Sequence, residues 1–301
     1  MSKTSWKSIQ QQLKKLQFEP GPIDGVQGSK TINAIKAFQK AHGLTADGVV
    51  GPKTRGALFG SSEAVDHSVM TCARLAQISY TLRPKKLTSG DRTLEKDFKL
   101  SVTKSCPHAN VEAYMLSNGC LLIPGSNSFA DYLSHNLRLK RVGSKKLKLS
   151  YLHARNDVFS SGTKRGVSRT IWHQGFLAHA NIIYNWIGKD PSKWPKFIIG
   201  HSLGAASAQI LSKTFLTPAI GFAAPRLRKT SGAVKYDNLS LSICRDDDIV
   251  CNLPPGFHHT GQTSILYHKN RKRGLNHKME SYIDALKNQP PGLEVPTVWD
   301  P

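Results

Sequence analysis

The chain has 301 residues, 42 Lys and Arg against 20 Asp and Glu, and a formal charge of +22. That length suggests about two domains, and the charge predicts attraction to polyanions. No apolar run approaches the length of a bilayer span, which argues against a helical membrane protein. The five cysteines, at 72, 106, 120, 244 and 251, are odd in number and lack metal-ligand pairs, so neither a metal nor another cofactor is expected.

The N-terminus, from Met1 to Lys7, is charged but has no apolar core behind it, so no Sec signal peptide is expected. Asp24, Gly25, Gly28 and Thr31 then return as Asp47, Gly48, Gly51 and Thr54, two copies of D-G-x-x-G-x-x-T. Each glycine permits a tight turn, and Ser29 or Pro52 suits the start of the helix that follows. Ile32, Ile35, Ala37 and Phe38 form the predicted apolar face of the longer helix, and an opening helix carries Ile9, Leu13 and Leu16. From Ser8 to Leu58 the pattern resembles the peptidoglycan-binding domain of cell-wall enzymes. The resemblance implies a small three-helix unit, residues 1–60, that binds the wall and catalyses nothing. Its linker is expected near Phe59 to Glu63, with a larger domain over residues 65–287 and an irregular, Pro-rich tail over 288–301.

Within the larger domain, Arg138 to Leu149 alternates basic and apolar residues, a pattern for two strands. Lys140, Arg141, Lys145, Lys146 and Lys148 read either as a solvated sheet edge or as a docking face for anionic phospholipid, at about 1 kcal/mol per basic side chain. No nucleic-acid motif accompanies them, so no nucleic-acid partner is expected.

The run Phe197 to Ile199 predicts a buried strand and Ala205 to Leu211 a helix. Between them Gly200, Ser202 and Gly204 spell G-x-S-x-G, the strained strand-to-helix turn that exposes a nucleophilic hydroxyl. Such a serine needs an acid and then a histidine farther along the chain. A predicted strand from Leu239 to Ile243 runs into Asp246, Asp247 and Asp248, among which the pattern does not choose. His277 precedes a predicted helix with Met279, Tyr282, Ile283 and Leu286 on its apolar face, and His258, His259 and His268 are rivals. Cys244 and Cys251 flank the acidic loop as a candidate pair.

From Val65 to Leu286, several motifs occur in one order. They are Ile123 to Ser126 with Phe129 to Asn136, His173 to Phe176, Gly200 to Gly204, Gly221 to Arg226, Asp248 to Val250 with Leu253 to Pro255, and His277. The set resembles the class 3, fungal-type lipases, whose fold is the α/β-hydrolase fold. The resemblance implies Ser202 as nucleophile, Asp248 as triad acid, His277 as base, and Ser126 and Leu203 as the oxyanion hole. It also makes Phe129, Tyr132 and Leu133 candidates for a mobile lid, the other reading being a permanently packed helix. Pro124 stands where many members have Arg, and Cys251 where they often carry proline.

The expectation is therefore an α/β protein in which a wall-binding unit precedes a serine lipase or phospholipase. Its substrate would be membrane glycerophospholipid, its partners peptidoglycan and an anionic membrane surface, with an immunity or delivery protein as a further candidate. Its route to the envelope would bypass the Sec pathway, as for an antibacterial effector or a phage-associated lytic enzyme. An esterase or amidase acting on wall material, and a wall-binding protein with a disabled hydrolase fold, are the alternatives.

Overall fold

In the computed structural model the N-terminal unit and the larger domain each have a core of their own. The structure describes residues 3–59, 67–84, 86–125, 139–142, 146–149, 170–229, 232, 234–267, 276–289, 295–299 and 301. Ser126, His268 and the lid candidates Phe129, Tyr132 and Leu133 lie outside these residues, as do the side chains of the 138–149 basic stretch.

The first unit consists of α1 (Lys3–Lys15), α2 (Ser29–Ala41) and α3 (Pro52–Phe59) around Trp6, Ile9, Leu13, Ile35, Phe38, Val50 and Leu58. Two positions of the predicted apolar faces turn outward: Leu16 falls beyond the end of α1, and Ala37 is exposed. A glutamine takes the inward place instead. Gln39 Nε2 lies 2.7 Å from Asp47 Oδ1, 2.9 Å from Val49 O and 3.0 Å from Thr54 Oγ1, while its Oε1 accepts from Gly48 N–H at 2.8 Å. Gln10 does the same for the first copy, with Asp24, Val26, Thr31 and Gly25. The repeated motif is thus a turn pinned by a buried amide from the preceding helix. Gly25 and Gly48 sit at φ 79 and 76, where a side chain would be strained.

The larger domain begins with α4 (Val69–Ser79) and the short α5 (Ser89–Thr93), then β1 (Val102–Ser105), β2 (Tyr114–Leu116) and β3 (Cys120–Ile123). A hairpin of β4 (Leu139–Val142) and β5 (Lys146–Leu149) pairs Lys140 with Lys148, in agreement with the two-strand reading. There follow α6 (Gln174–Ile187), β6 (Phe197–His201), α7 (Leu203–Phe215), β7 (Ala219–Phe222), β8 (Ser240–Arg245), β9 (Gln262–Leu266) and α8 (Met279–Lys287).

The seven-stranded sheet has the order β1-β2-β3-β6-β7-β8-β9, antiparallel from β1 to β3 and parallel from β3 to β9. Alternation splits its side chains between two layers. Leu122, Phe197 and Ile199 pack with α4 and α8, whereas Leu121, Ile123 and Ile198 pack with α6 and α7. Burial on both faces explains why these strands read as continuous apolar runs. The result is an α/β-hydrolase fold preceded by a helical unit. Near the C-terminus, Trp299 N–H donates to His67 O at 3.0 Å, and its ring is buried in the α4–α8 layer.

Candidate active site

The parallel strands all end on one edge, and β6 and β8 there deliver the two ends of the site. Ser202 leaves β6 at φ 56 and ψ −121, backbone that a non-glycine residue adopts only under strain. The close crossing of β6 and α7 produces it. A side chain at Gly204 would run into the carbonyls of Ile123 and Pro124, and one at Gly200 into Gly204 itself. Leu203 opens α7, so its N–H is among those that a helix start leaves without an intrahelical acceptor.

His277 is presented from the loop before α8. Its Nε2 lies 2.8 Å from Ser202 Oγ and its Nδ1 2.9 Å from Asp248 Oδ2. An ionised carboxylate only accepts, so Nδ1 carries the proton, and Nε2 is left to accept from the serine hydroxyl. Asp248 also accepts from Tyr282 O–H at 2.8 Å and from Val250 N–H at 3.0 Å. Burial opposes its ionisation, but the bonds from His277, Tyr282 and Val250 outweigh burial and hold it below the ordinary carboxylate range. The site therefore keeps a fixed anion behind the imidazole.

Two of the rival residues, Asp247 and His259, are engaged elsewhere. Asp247 pairs with Arg245 at 2.8 and 2.9 Å and accepts from Asn276 Nδ2 at 2.6 Å, which steadies the residue next to His277. His259 Nε2 bonds Cys251 O at 2.9 Å, and His258 is exposed. Cys244 and Cys251 are buried free thiols, so the candidate pair is not a disulfide. Cys251 Sγ lies 3.3 Å from the Tyr282 hydroxyl, which donates to Asp248.

A second chain of hydrogen bonds was not legible in the sequence. Gly125 N–H donates to Tyr80 Oη at 2.8 Å, so the Tyr80 hydroxyl donates to His201 Nδ1, 2.5 Å away. His201 Nε2–H then donates to the carbonyl of His277 at 2.8 Å. Burial, reinforced by His277, pulls the His201 pKa down to about 3, so this ring is neutral. The chain ties the loop at Gly125, the elbow and the backbone of His277 into one unit. A Cβ at Gly125 would stand 2.7 Å from both Ser202 Cβ and Tyr80 Oη, which leaves room for glycine alone. Among the described residues no group of three or more His, Cys, Asp or Glu is placed to hold a metal ion.

Residues 2–58 match the family model described as "Putative peptidoglycan binding domain". The first unit carries this domain. Among curated proteins, an N-acetylmuramoyl-L-alanine amidase of Bacillus licheniformis, CwlL, is 44% identical over 64 residues, covering 19% of this chain and 18% of the amidase. The amidase CwlM of Mycobacterium tuberculosis is 33% identical over 87 residues, 29% of this chain and 21% of its own length. The chain thus spans about a fifth of the curated relatives it matches, and the shared part is the peptidoglycan-binding region.

Among solved structures, the Lip2 lipase of Yarrowia lipolytica superposes with a TM-score of 0.46 at 17% identity, over 68% of this chain and 83% of the lipase. The Rhizomucor miehei lipase propeptide complex scores 0.45 at 20% identity, over 65% and 67%. A lipase of Rhizopus microsporus var. chinensis scores 0.46 at 16% identity, over 74% and 86%. The α/β-hydrolase architecture rests on the strand order and the strand–serine–helix turn, independently of these likenesses.

Proposed function

We propose that the larger domain is a serine hydrolase that cleaves carboxylic esters of membrane glycerophospholipid, and that the first unit holds it at the peptidoglycan. The observation that carries this reading is the hydrogen-bonded line from Ser202 Oγ through His277 to Asp248, at 2.8 and 2.9 Å. Ser202 attacks the ester carbonyl while His277 Nε2 takes its proton. Asp248 and Tyr282 hold the imidazole in the tautomer that allows this, and the carboxylate stabilises the imidazolium that forms. This reading assigns stabilisation of the developing oxyanion to the Leu203 N–H, at the positive end of α7, and to Ser126. His277 returns the proton to the leaving alcohol, and water repeats the sequence on the acyl-enzyme.

The choice of a lipid ester is supported by the combination of an envelope-binding unit with a strongly basic chain. An enzyme that damages a target cell's envelope, as an antibacterial effector or a phage-associated lytic protein would, fits that combination. The amidases share the wall-binding portion, so their bond specificity does not transfer to the hydrolase domain.

Lipid analysis of bacterial membranes incubated with the protein and with Ser202→Ala tests the reading. The expected result is loss of a phospholipid with gain of its lyso form or of free fatty acid, in the unsubstituted protein alone. Release of ester substituents from purified wall, with membranes untouched, would move the substrate to the wall.

A further inference from the structure

The duplicated motif of the first unit diverges at the position after its threonine, where Ile32 in the first copy is matched by Arg55 in the second. Arg55 is 5% exposed, and what buries it is the hydrolase domain. Its Nη2 donates to Pro195 O and to Thr217 Oγ1, each at 2.7 Å, and its Nη1 donates to Phe215 O. Phe215 is the last residue of α7, so the guanidinium sits at the negative end of that helix. The Trp194 ring lies 5.6 Å from it. Ser8 of α1 hydrogen-bonds Asp190 nearby, which adds a second contact between the same two units. Burial lowers the Arg55 pKa to about 10, so it is still a cation at neutral pH.

The place of this contact in the sheet matters. Pro195 precedes β6, and Thr217 precedes β7, so Arg55 grips the edge where the parallel strands begin. Ser202 follows β6 and Asp248 follows β8, on the edge where they end. The strand between the two edges places Arg55 and the nucleophile roughly 20 Å apart, at about 3.3 Å per residue.

We propose that Arg55 locks the peptidoglycan-binding unit to the pole of the hydrolase opposite its nucleophile, so that a wall-anchored molecule opens its active site away from the polymer and toward a facing phospholipid bilayer. This rests on the ester-hydrolase reading above and deepens it. Glycan held on the side of the first unit turned away from Arg55 has the body of the hydrolase between itself and Ser202, whereas a membrane lying alongside the wall does not. A forked guanidinium with three acceptors fixes direction as well as attachment, which a flexible tether could not do.

The test uses the full chain with spin labels on cysteines introduced at Lys40 and Lys287, both exposed, one in each unit. The five native cysteines are buried. A single narrow distance distribution, unchanged when the protein is bound to isolated peptidoglycan sacculi, is expected. Arg55→Ala should broaden it, and Arg55→Lys, which keeps the charge but not the fork, should broaden it partly. A broad distribution in the unsubstituted protein would overturn the lock.

In the second arm, turnover of p-nitrophenyl butyrate and of phosphatidylglycerol–phosphatidylethanolamine vesicles is compared between free and sacculus-bound protein. Each rate should stay within about twofold on binding. A loss of butyrate turnover beyond tenfold on binding would mean that the mouth faces the wall, and would overturn the proposal. If the free protein cleaves neither ester, the hydrolase reading falls, and the label distances decide the orientation without it. Arg55→Ala should leave butyrate turnover by the free protein unchanged.

Discussion

Ser202, His277 and Asp248 are separated by dozens of residues in the chain, yet their side chains stand at hydrogen-bond distance. Ser202→Ala is expected to lower ester turnover by about 10⁴ or more, with His277→Ala comparable and Asp248→Asn slightly milder, because triad members act as a unit. Steady-state kinetics with a short-chain ester measures this, alongside a melting curve that should barely move. If Asp247→Asn proved the more damaging change, with the fold intact, the assignment of the acid would be wrong. Tyr80 acts differently, through position alone. Tyr80→Phe removes the link from Gly125 to His201 and should lower kcat roughly tenfold, about 1.4 kcal/mol, while KM for a short ester stays constant. A change in KM with kcat intact would reassign Tyr80 to substrate contact. Nothing in the sequence marks Tyr80, since the partner it serves is 121 positions away.

At the scale of elements, the elbow and the repeated turns share a device: backbone brought so close that side chains are excluded or enlisted. Gly204→Ala would drive a methyl group into the carbonyls of Ile123 and Pro124, and should prevent the start of α7 from seating against the end of β3. Expression yield and circular dichroism report this outcome, and a native-like melting curve would refute the crowding argument. In the first unit, Gln39→Ala strips the turn at Asp47 of its buried amide. Leaving the Gly48 N–H without that acceptor should cost about 1–3 kcal/mol, visible as faster hydrogen exchange at Gly48 and Val49. The D-G-x-x-G-x-x-T repeat was plain from spacing. The glutamines that hold it were not, because a polar residue turned inward contradicts the apolar face that helical spacing predicts.

For the whole molecule, two histidines, His201 buried and His179 half-buried, make stability depend on pH. Burial lowers the pKa of His201 to about 3, and burial together with His108 lowers that of His179 to about 4. In the unfolded chain both titrate near 6.5, so below that pH the unfolded state binds more protons, and stability falls until the folded values are reached. Between pH 7 and 5 each should remove about 2 kcal/mol, which denaturant titrations at the two pH values can measure. Asp248 works in the same direction at lower pH. Its folded pKa lies below the unfolded one, so its contribution is complete above about 4 and is lost as pH falls through the folded value. Equal stability at pH 7 and 5 would mean that neither ring is kept neutral by the fold.

Local pattern determined what local forces decide. The strand–Ser202–helix turn, the duplicated turns at Asp24 and Asp47 and the two strands of the basic stretch follow from spacing within short windows, and the expected order of serine, acid and histidine follows from the architecture that such a turn implies. Such features depend on backbone geometry and apolar periodicity, which neighbours in the chain impose on each other. Selecting Asp248 from three adjacent aspartates took a family resemblance. In the structure Tyr282 O–H and Val250 N–H donate to that carboxylate, and Arg245 donates to its neighbour Asp247. Only tertiary structure decided that Tyr80 and His201 brace the loop at Gly125, that Trp299 returns to the core, and that Arg55 is buried against the far edge of the sheet. These contacts join residues distant in sequence through single polar bonds, and such bonds are set by where packed layers bring side chains together, which no periodicity records.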